Sequence, residues 1–404
     1  LVQLLGAGHV LTKRKKFFYY SILLIFNLSI LELCAYGLGN FLATRGAFYQ
    51  EQCDLHDCAD YLRFRDPVLG WPSTLPANKD RDQRGSRLIP AYPDPDRFPS
   101  CISLYGDSFT YGSEVDNEHA WSNVLSRLEQ CRVANYAVGG YGTDQAYLRF
   151  KLNRSDESPI VILGIFSENI MRNVNQFRNL FYPARYGLKP RFILNRAGDL
   201  ELIPLPELTE ADYEKLVKDP NPFLPYEYFR LDGPNGPGKL RFPFTISLIR
   251  SCRHFRVVAR ITGRPHWADF YYENHPSGSL VLTTKIAKAF WDLAIARNKQ
   301  PVIVMIPDPM DLQYFLKTGV WCYQNLIDRL ATEGVECLNL GPGMIDCLQG
   351  RHPLKIFKAN HYNEEGYQVI AGLVDNYLIT KKYKGPRVSE RLPRSLQGRA
   401  DSGH

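Results

Sequence analysis

A serine at position 108, a histidine at 361 and amide donors around 139, 140 and 169 are the residues of this 404-residue chain whose types could perform covalent chemistry together. Ser108 lies in Gly106-Asp107-Ser108-Phe109-Thr110-Tyr111-Gly112, directly after the apolar run Cys101-Ile102-Ser103-Leu104-Tyr105. That run reads as a buried strand. The serine therefore sits in a tight turn at a strand's carboxyl end, where open α/β sheets carry their chemistry. A hydroxyl is poorly nucleophilic at neutral pH and needs a base within hydrogen-bond reach. His361, in Asn360-His361-Tyr362-Asn363-Glu364-Glu365-Gly366-Tyr367 just ahead of a helix, is the candidate base, because an unperturbed imidazole titrates near pH ~6.5. Attack on an ester would create an oxyanion that preorganised N–H donors stabilise. The block Asn135-Tyr136-Ala137-Val138-Gly139-Gly140-Tyr141-Gly142 supplies glycines that approach a ligand closely, and a third apolar run ends in Phe166-Ser167-Glu168-Asn169. Asp107 is placed to brace the serine turn by accepting backbone N–H bonds. Each feature also has a plain structural reading: a surface turn for Gly-Asp-Ser, a tight turn for the paired glycines, a helix cap for Asn169, and a helix-start histidine.

Ser, Gly, Asn and His, in that order and each at the end of an element, resemble the SGNH hydrolases, also called the GDSL family, over residues 100–182 and 283–380. The resemblance implies a serine ester hydrolase with Ser108 as nucleophile and His361 as base, without metal or cofactor. It implies an oxyanion hole built from the backbone N–H of Ser108, the backbone N–H of Gly140 and the side-chain amide of Asn169. Gly140 takes this role rather than Gly139 because it is the sixth residue of the block opening at Asn135. The family usually places an aspartate three residues before the histidine, and here that position is Lys358, followed by Ala359 and Asn360. A backbone carbonyl or a distant carboxylate must then orient the imidazole, or a Ser–His dyad operates, or the site is inactive. A lysine beside the ring would disfavour its protonated form.

The elements that must gather these residues are legible in outline. Strands are predicted near 101–106, 132–138, 159–165, 301–307 and 335–340, with helices near 119–129, 143–152, 283–298 and 319–333. Such alternation implies parallel strands with right-handed crossovers. The expected fold is α/β: a three-layer α/β/α sandwich with a mostly parallel, five-stranded, flavodoxin-like sheet. Residues 183–280 break the rhythm with a hairpin over 189–204, many prolines and aromatics, and one helix near 244–262. A segment this long is an insertion rather than an ordinary connection, and loops there commonly shape a substrate site. Its Trp267, Phe270, Tyr271 and Tyr272 either stack on sugar rings or pack internally. Asn363 reads as the N-cap of a last helix, with Glu364 and Glu365 in its first turn.

Hydrophobic residues make up 45% of the chain, which is ample for a core. The net charge of +7 is concentrated in Lys13-Arg14-Lys15-Lys16 and in the tail over 381–399, with no basic stripe interleaved with aromatics. That pattern argues against a nucleic-acid partner. Residues 17–43 are overwhelmingly apolar, longer than the ~20 that cross a bilayer and than the ~7–15 of a cleaved signal's apolar region. The basic run ahead of them puts the N-terminus in the cytoplasm and the rest outside, periplasmic or at the cell surface. Glu32 is costly in lipid and either pairs within a helix bundle or sits near the interface. The expected organisation is a cytoplasmic segment (1–16), a transmembrane helix (17–43) and an extended arm (44–99) with Trp71 packed on the body. A hydrolase-like domain (100–182 and 281–382) interrupted by the insertion (183–280) follows, then a disordered basic tail (383–404). Eight of the nine cysteines fall outside the apolar segment, and in an oxidising compartment they permit disulfides. Cys53 with Cys58 and Cys101 with Cys131 are candidate pairs, and the Cys53–Cys58 cluster lacks the second ligand pair of a structural zinc site.

Three functions follow. One is a membrane-tethered extracytoplasmic serine esterase that removes O-acyl groups, acetyl among them, from a glycan or similar substrate. Another is an O-acyltransferase that passes the acyl group to a sugar hydroxyl, separated from the first only by water exclusion and pocket shape. The third is a non-catalytic glycan-binding or assembly protein, which Lys358 favours.

Overall fold

A computed structural model describes residues 12–51, 61–70, 79–182, 187–252 and 254–383. The expectations for Cys53, Cys58, Trp71 and the tail beyond residue 383 lie outside the described residues. Nine strands are described: β1 (Ser100–Tyr105), β2 (Arg132–Asn135), β3 (Ile160–Phe166), β4 (Arg191–Leu194), β5 (Leu200–Ile203), β6 (Gln300–Ile306), β7 (Cys337–Asn339), β8 (Phe357–Lys358) and β9 (His361–Tyr362). Five of them form one all-parallel sheet in the order β2-β1-β3-β6-β7, the flavodoxin-like order. A parallel sheet covered on both faces carries near-continuous apolar strands, and all seven residues of β3 are buried. Ser279–Ala296 packs on Thr143–Leu152 in one helical layer, and Glu364–Thr380 packs on Trp121–Leu128 in the other. The chain therefore has the α/β/α sandwich that the SGNH resemblance implies.

Several elements differ from the sequence reading. β2 stops at Asn135 rather than 138, because the Asn135 side chain donates to the Thr110 carbonyl at 2.9 Å and accepts from the Ala137 N–H at 3.1 Å, which turns the chain into the glycine loop. The helix expected near 244–262 is two helices, Phe244–Cys252 and Phe255–Thr262. The helix expected near 319–333 is Gln324–Thr332, preceded by Pro309–Thr318. The latter starts with Asp308 as N-cap and Pro309 at its first position, a recognised start signal. Cys101, in β1, is disulfide-bonded to Cys131, with Cα atoms 6.0 Å apart.

Residues 79–99 of the expected arm pack on the body. Buried Arg87 donates to the carbonyls of Tyr111, Gly112 and Val115 and to the Asn117 side chain, and so fastens the loop that follows the serine turn. The insertion contains the antiparallel hairpin β4–β5 and is tied by Glu227 to residues 175–177, downstream of β3. That buried carboxylate accepts from the backbone N–H groups of Gln176 (2.6 Å), Phe177 (2.9 Å) and Phe229 (3.0 Å) and from the Asn175 amide (3.1 Å).

Removing a buried acceptor strands its donors, at about 1–3 kcal/mol for each unsatisfied group. Glu227→Ala is accordingly expected to lower the thermal midpoint of the full chain in detergent by several degrees; an unchanged midpoint would show that the insertion is held by other contacts.

Candidate active site

Ser108 is the first residue of a one-turn helix, Ser108–Tyr111, that follows β1 directly. Two features of the sequence fix that turn. The side chain of Asp107 caps it, its Oδ1 accepting from the N–H groups of Phe109 at 2.9 Å and Thr110 at 3.5 Å. Gly106 leaves room for Thr110: a Cβ at position 106 would come within 2.1 Å of the Thr110 hydroxyl and 2.8 Å of the Gly164 carbonyl. A larger residue there would push the serine turn off the sheet.

The residues expected to form an oxyanion hole sit on the ends of three adjacent strands, after β1, β2 and β3. Gly140 has φ 85°, in the left-handed region that suits glycine. A Cβ on neighbouring Gly139 would lie 3.7 Å from the Ser108 Cβ, so the glycine loop borders the serine. Asn169 opens the short helix Asn169–Arg172; it is fully buried, and among the described residues neither its amide nitrogen nor its oxygen has a hydrogen-bond partner. A buried amide in that state is costly unless a ligand completes it.

Arg172 holds these three strand ends together. Its guanidinium reaches Asp107 Oδ2 at 3.3 Å, the Tyr141 carbonyl at 3.0 Å and Glu168 Oε2 at 2.7 Å, one contact per strand end. Burial pushes the Asp107 carboxyl up to about 6, against the downward pull of Arg172. Burial likewise opposes ionisation of Glu168, but Arg172, His266 and Arg178 outweigh it and hold the carboxyl well below the ordinary range.

His361 arrives on a hairpin that the sequence reading missed. β8 and β9 pair antiparallel, Lys358 opposite His361, with Ala359 at φ 52° in the turn. The imidazole packs on the Phe109 ring, centroids 4.8 Å apart. Ser108 and His361 thus line one cleft of about 640 Å³, together with Gly139, Gly140, Glu168, Arg172, Arg178, Tyr182, His266, Trp267, Asp308 and Asn360.

Lys358 does not act on the ring as anticipated. It is exposed, and its Nζ reaches the Glu114 carbonyl at 3.4 Å. The group facing the imidazole is the Glu114 side chain, with Oε1 3.9 Å from His361 Nδ1, a buried nitrogen without a hydrogen-bond partner among the described residues. Glu114 has φ 72° and follows the serine turn inside the loop that Arg87 grips. Its role is tertiary, so no local motif could have announced it. Of the four aromatics in question, Trp267, Phe270 and Tyr271 are buried and pack internally, Trp267 also walling the cleft while its indole N–H donates to Asp311 at 2.9 Å. Tyr272 is exposed.

No family model matches the sequence, and no curated protein matches it either. Among solved structures, the chain is similar to a G-D-S-L-family lipolytic protein from Desulfitobacterium hafniense DCB-2, with TM-score 0.33 and 13% identity over 68% of this chain and 97% of that one. It is also similar to a psychrotrophic esterase from Pseudoalteromonas (TM-score 0.35, 11% identity, 70% and 97% covered). An acetyl xylan esterase from Butyrivibrio proteoclasticus gives TM-score 0.31 and 10% identity, covering 71% of this chain and 65% of that one. Likeness at this level carries no argument about chemistry, which rests on the side chains described above.

Burial lowers the affinity of His361 for a proton, Glu114 opposes this, and Arg172 reinforces it, for a net value below the usual 6.5. A side-chain NMR titration of His361 is expected to place its midpoint below that value and lower still in Glu114→Gln. A midpoint at or above 6.5 would mean that the ring is not enclosed as described.

Proposed function

We propose that this chain is a membrane-anchored, extracytoplasmic serine esterase of the SGNH/GDSL type that removes short O-acyl groups, acetyl among them, from a carbohydrate or related hydroxylated substrate. The observation that carries the reading is the shared cleft of Ser108 and His361. With Nδ1 turned to Glu114, Nε2 is the nitrogen left to take the Ser108 proton. The Ser108 oxygen attacks the ester carbonyl, and the oxyanion is received by the N–H groups of Ser108 and Gly140 and by the Asn169 amide. His361 returns its proton to the leaving hydroxyl. Water then repeats the sequence on the acyl-enzyme and releases the acid. The unpartnered Asn169 amide supports its donor role, since a ligand oxygen would satisfy it.

Glu114 supplies the orientation that an aspartate at 358 would otherwise give. Held by Arg87 and Lys358 through the loop backbone, it favours the tautomer with the proton on Nδ1 and steadies the imidazolium. The charged and polar lining of the cleft, Glu168, Arg172, Arg178, His266 and Asp308, suits a hydroxylated leaving group and a short acyl chain better than a long hydrocarbon.

Hydrolysis of a chromogenic acetyl ester by the full chain tests this. Ser108→Ala and His361→Ala are each expected to abolish turnover with the fold intact, and wild-type levels in either would sink the assignment. Glu114→Gln is expected to reduce kcat by about 10–100-fold, a weaker loss than at a fully buried triad acid because the contact is longer and half-exposed. It should also move the acid limb of the pH–rate profile to lower pH; an unchanged kcat and profile would leave Ser108 and His361 as a dyad.

A further inference from the structure

The N-terminal helix Lys13–Ala43 is long and apolar enough to cross a membrane. One face of it, Glu32, Ala35, Tyr36 and Gly39, is not left to lipid. Ala35 and Gly39 are its buried residues, and a Cβ on Gly39 would come within 2.6 Å of the Leu240 side chain. Tyr36 meets the Phe244 ring at 4.9 Å. The Glu32 carboxylate accepts from the N–H groups of Phe244, at 2.6 Å, and Thr245, at 3.4 Å, and from the Thr245 hydroxyl. A carboxylate in the apolar stretch is thus spent on the N-terminus of a second helix, Phe244–Cys252, where exposed N–H groups and the helix dipole favour negative charge.

This contact fixes a depth. Glu32 lies 11 residues before Ala43, about 16 Å along a helix rising 1.5 Å per residue. Measured instead from Lys16 across a hydrocarbon layer of about 30 Å, the exit falls near Tyr36, roughly 6 Å beyond Glu32. The two boundaries bracket the start of the second helix at about 6–16 Å below the catalytic-side edge of the hydrocarbon layer, between that leaflet's outer part and the midplane.

The second helix is built for that position. No residue of it is buried within the protein. Ser247, Arg250 and Ser251 line a recess of about 420 Å³ with Ala47, Asp232 and Lys239, just past the end of the N-terminal helix. On other sides of the segment, Phe242, Ile246 and Ile249 are exposed, Phe242 at 72% and Ile249 at 60%. In the next helix, Phe255–Thr262, Val258 and Ile261 are exposed as well. An amphipathic helix with a basic polar face lies in the interface with its apolar side roughly 5–10 Å into the acyl boundary, a depth that the Glu32 contact meets when the span is measured from Lys16.

Resting on the reading of Lys13–Ala43 as a membrane span, we propose that residues 242–261 are a second membrane contact, seated in the leaflet beside the span with Phe242, Ile246, Ile249, Val258 and Ile261 covered by phospholipid acyl chains. The consequence reaches the active site. The Arg256 guanidinium lies over the Tyr182 ring, 4.6 Å from its centroid, and Tyr182 walls the catalytic cleft. The catalytic cleft is thereby placed next to the second membrane contact.

The test is nitroxide accessibility in the full chain, with the exposed cysteines Cys34 and Cys252 replaced by serine, reconstituted in phosphatidylcholine vesicles. Single labels go on Ile246→Cys and Ile249→Cys, on Ile25→Cys within the span, and on Leu128→Cys, exposed on the body at the end of the helix leading into β2. Positions 246 and 249 are expected to resemble 25, with collisions favouring dissolved oxygen over a water-soluble nickel chelate several-fold more than at 128. If 246 and 249 behave like 128 while 25 is lipid-exposed, the second contact is overturned and the span stands. If 25 is also reached by the chelate, the span fails and takes the second contact with it; neither result bears on Ser108 chemistry.

Discussion

One guanidinium organises the candidate active site. Arg172 binds Asp107 beside the serine, the carbonyl of Tyr141 beside Gly140, and Glu168 beside Asn169, so three loops on three parallel strands are set relative to one another by a single buried cation. Two carboxylates and one guanidinium out of water are tolerable only because each satisfies the others. Removing the cation from such a cluster typically costs about 3–5 kcal/mol. The same cation also depresses proton affinity at His361. Burial and Glu114 weigh more on the imidazole than this cation does, but the cation adds to the effect of burial.

The surroundings of the imidazole suggest, on the proposed reading, how a missing residue would be replaced. Where an aspartate is expected, Lys358 stands, and its ammonium reaches the backbone of Glu114 instead of the ring. Arg87, from a segment that reads as an irregular arm, grips the carbonyls on either side of Glu114. On the proposed reading the orienting acid would come from the serine side of the cleft, its loop held by two basic residues through main-chain contacts.

What the sequence made legible follows from the range of the forces involved. β1, β3 and β6, being buried on both faces, are apolar runs that declare themselves, and alternation with helices makes their parallel arrangement legible. The Gly-Asp-Ser turn is local, so its cap and its close packing are written in adjacent residues. Glu114, the β8–β9 hairpin and the Glu32 contact are not local. Glu114 and His361 are brought together only by the closed sandwich, the hairpin strands are two residues each, and Glu32 meets Thr245 across 213 positions of sequence. The break between Phe244–Cys252 and Phe255–Thr262 was hidden because both halves are amphipathic and apolar enough to read as one helix.

The central claim is that Ser108 is an activated nucleophile served by His361. Its most direct measurement is the rate at which a fluorophosphonate modifies the full chain, with the adduct mapped by peptide mass spectrometry. The account predicts a single adduct on Ser108, forming at neutral pH and slowed at least about 100-fold in His361→Ala, in line with the loss of a general base. Labelling elsewhere, or labelling of Ser108 at the same rate without the imidazole, would contradict it.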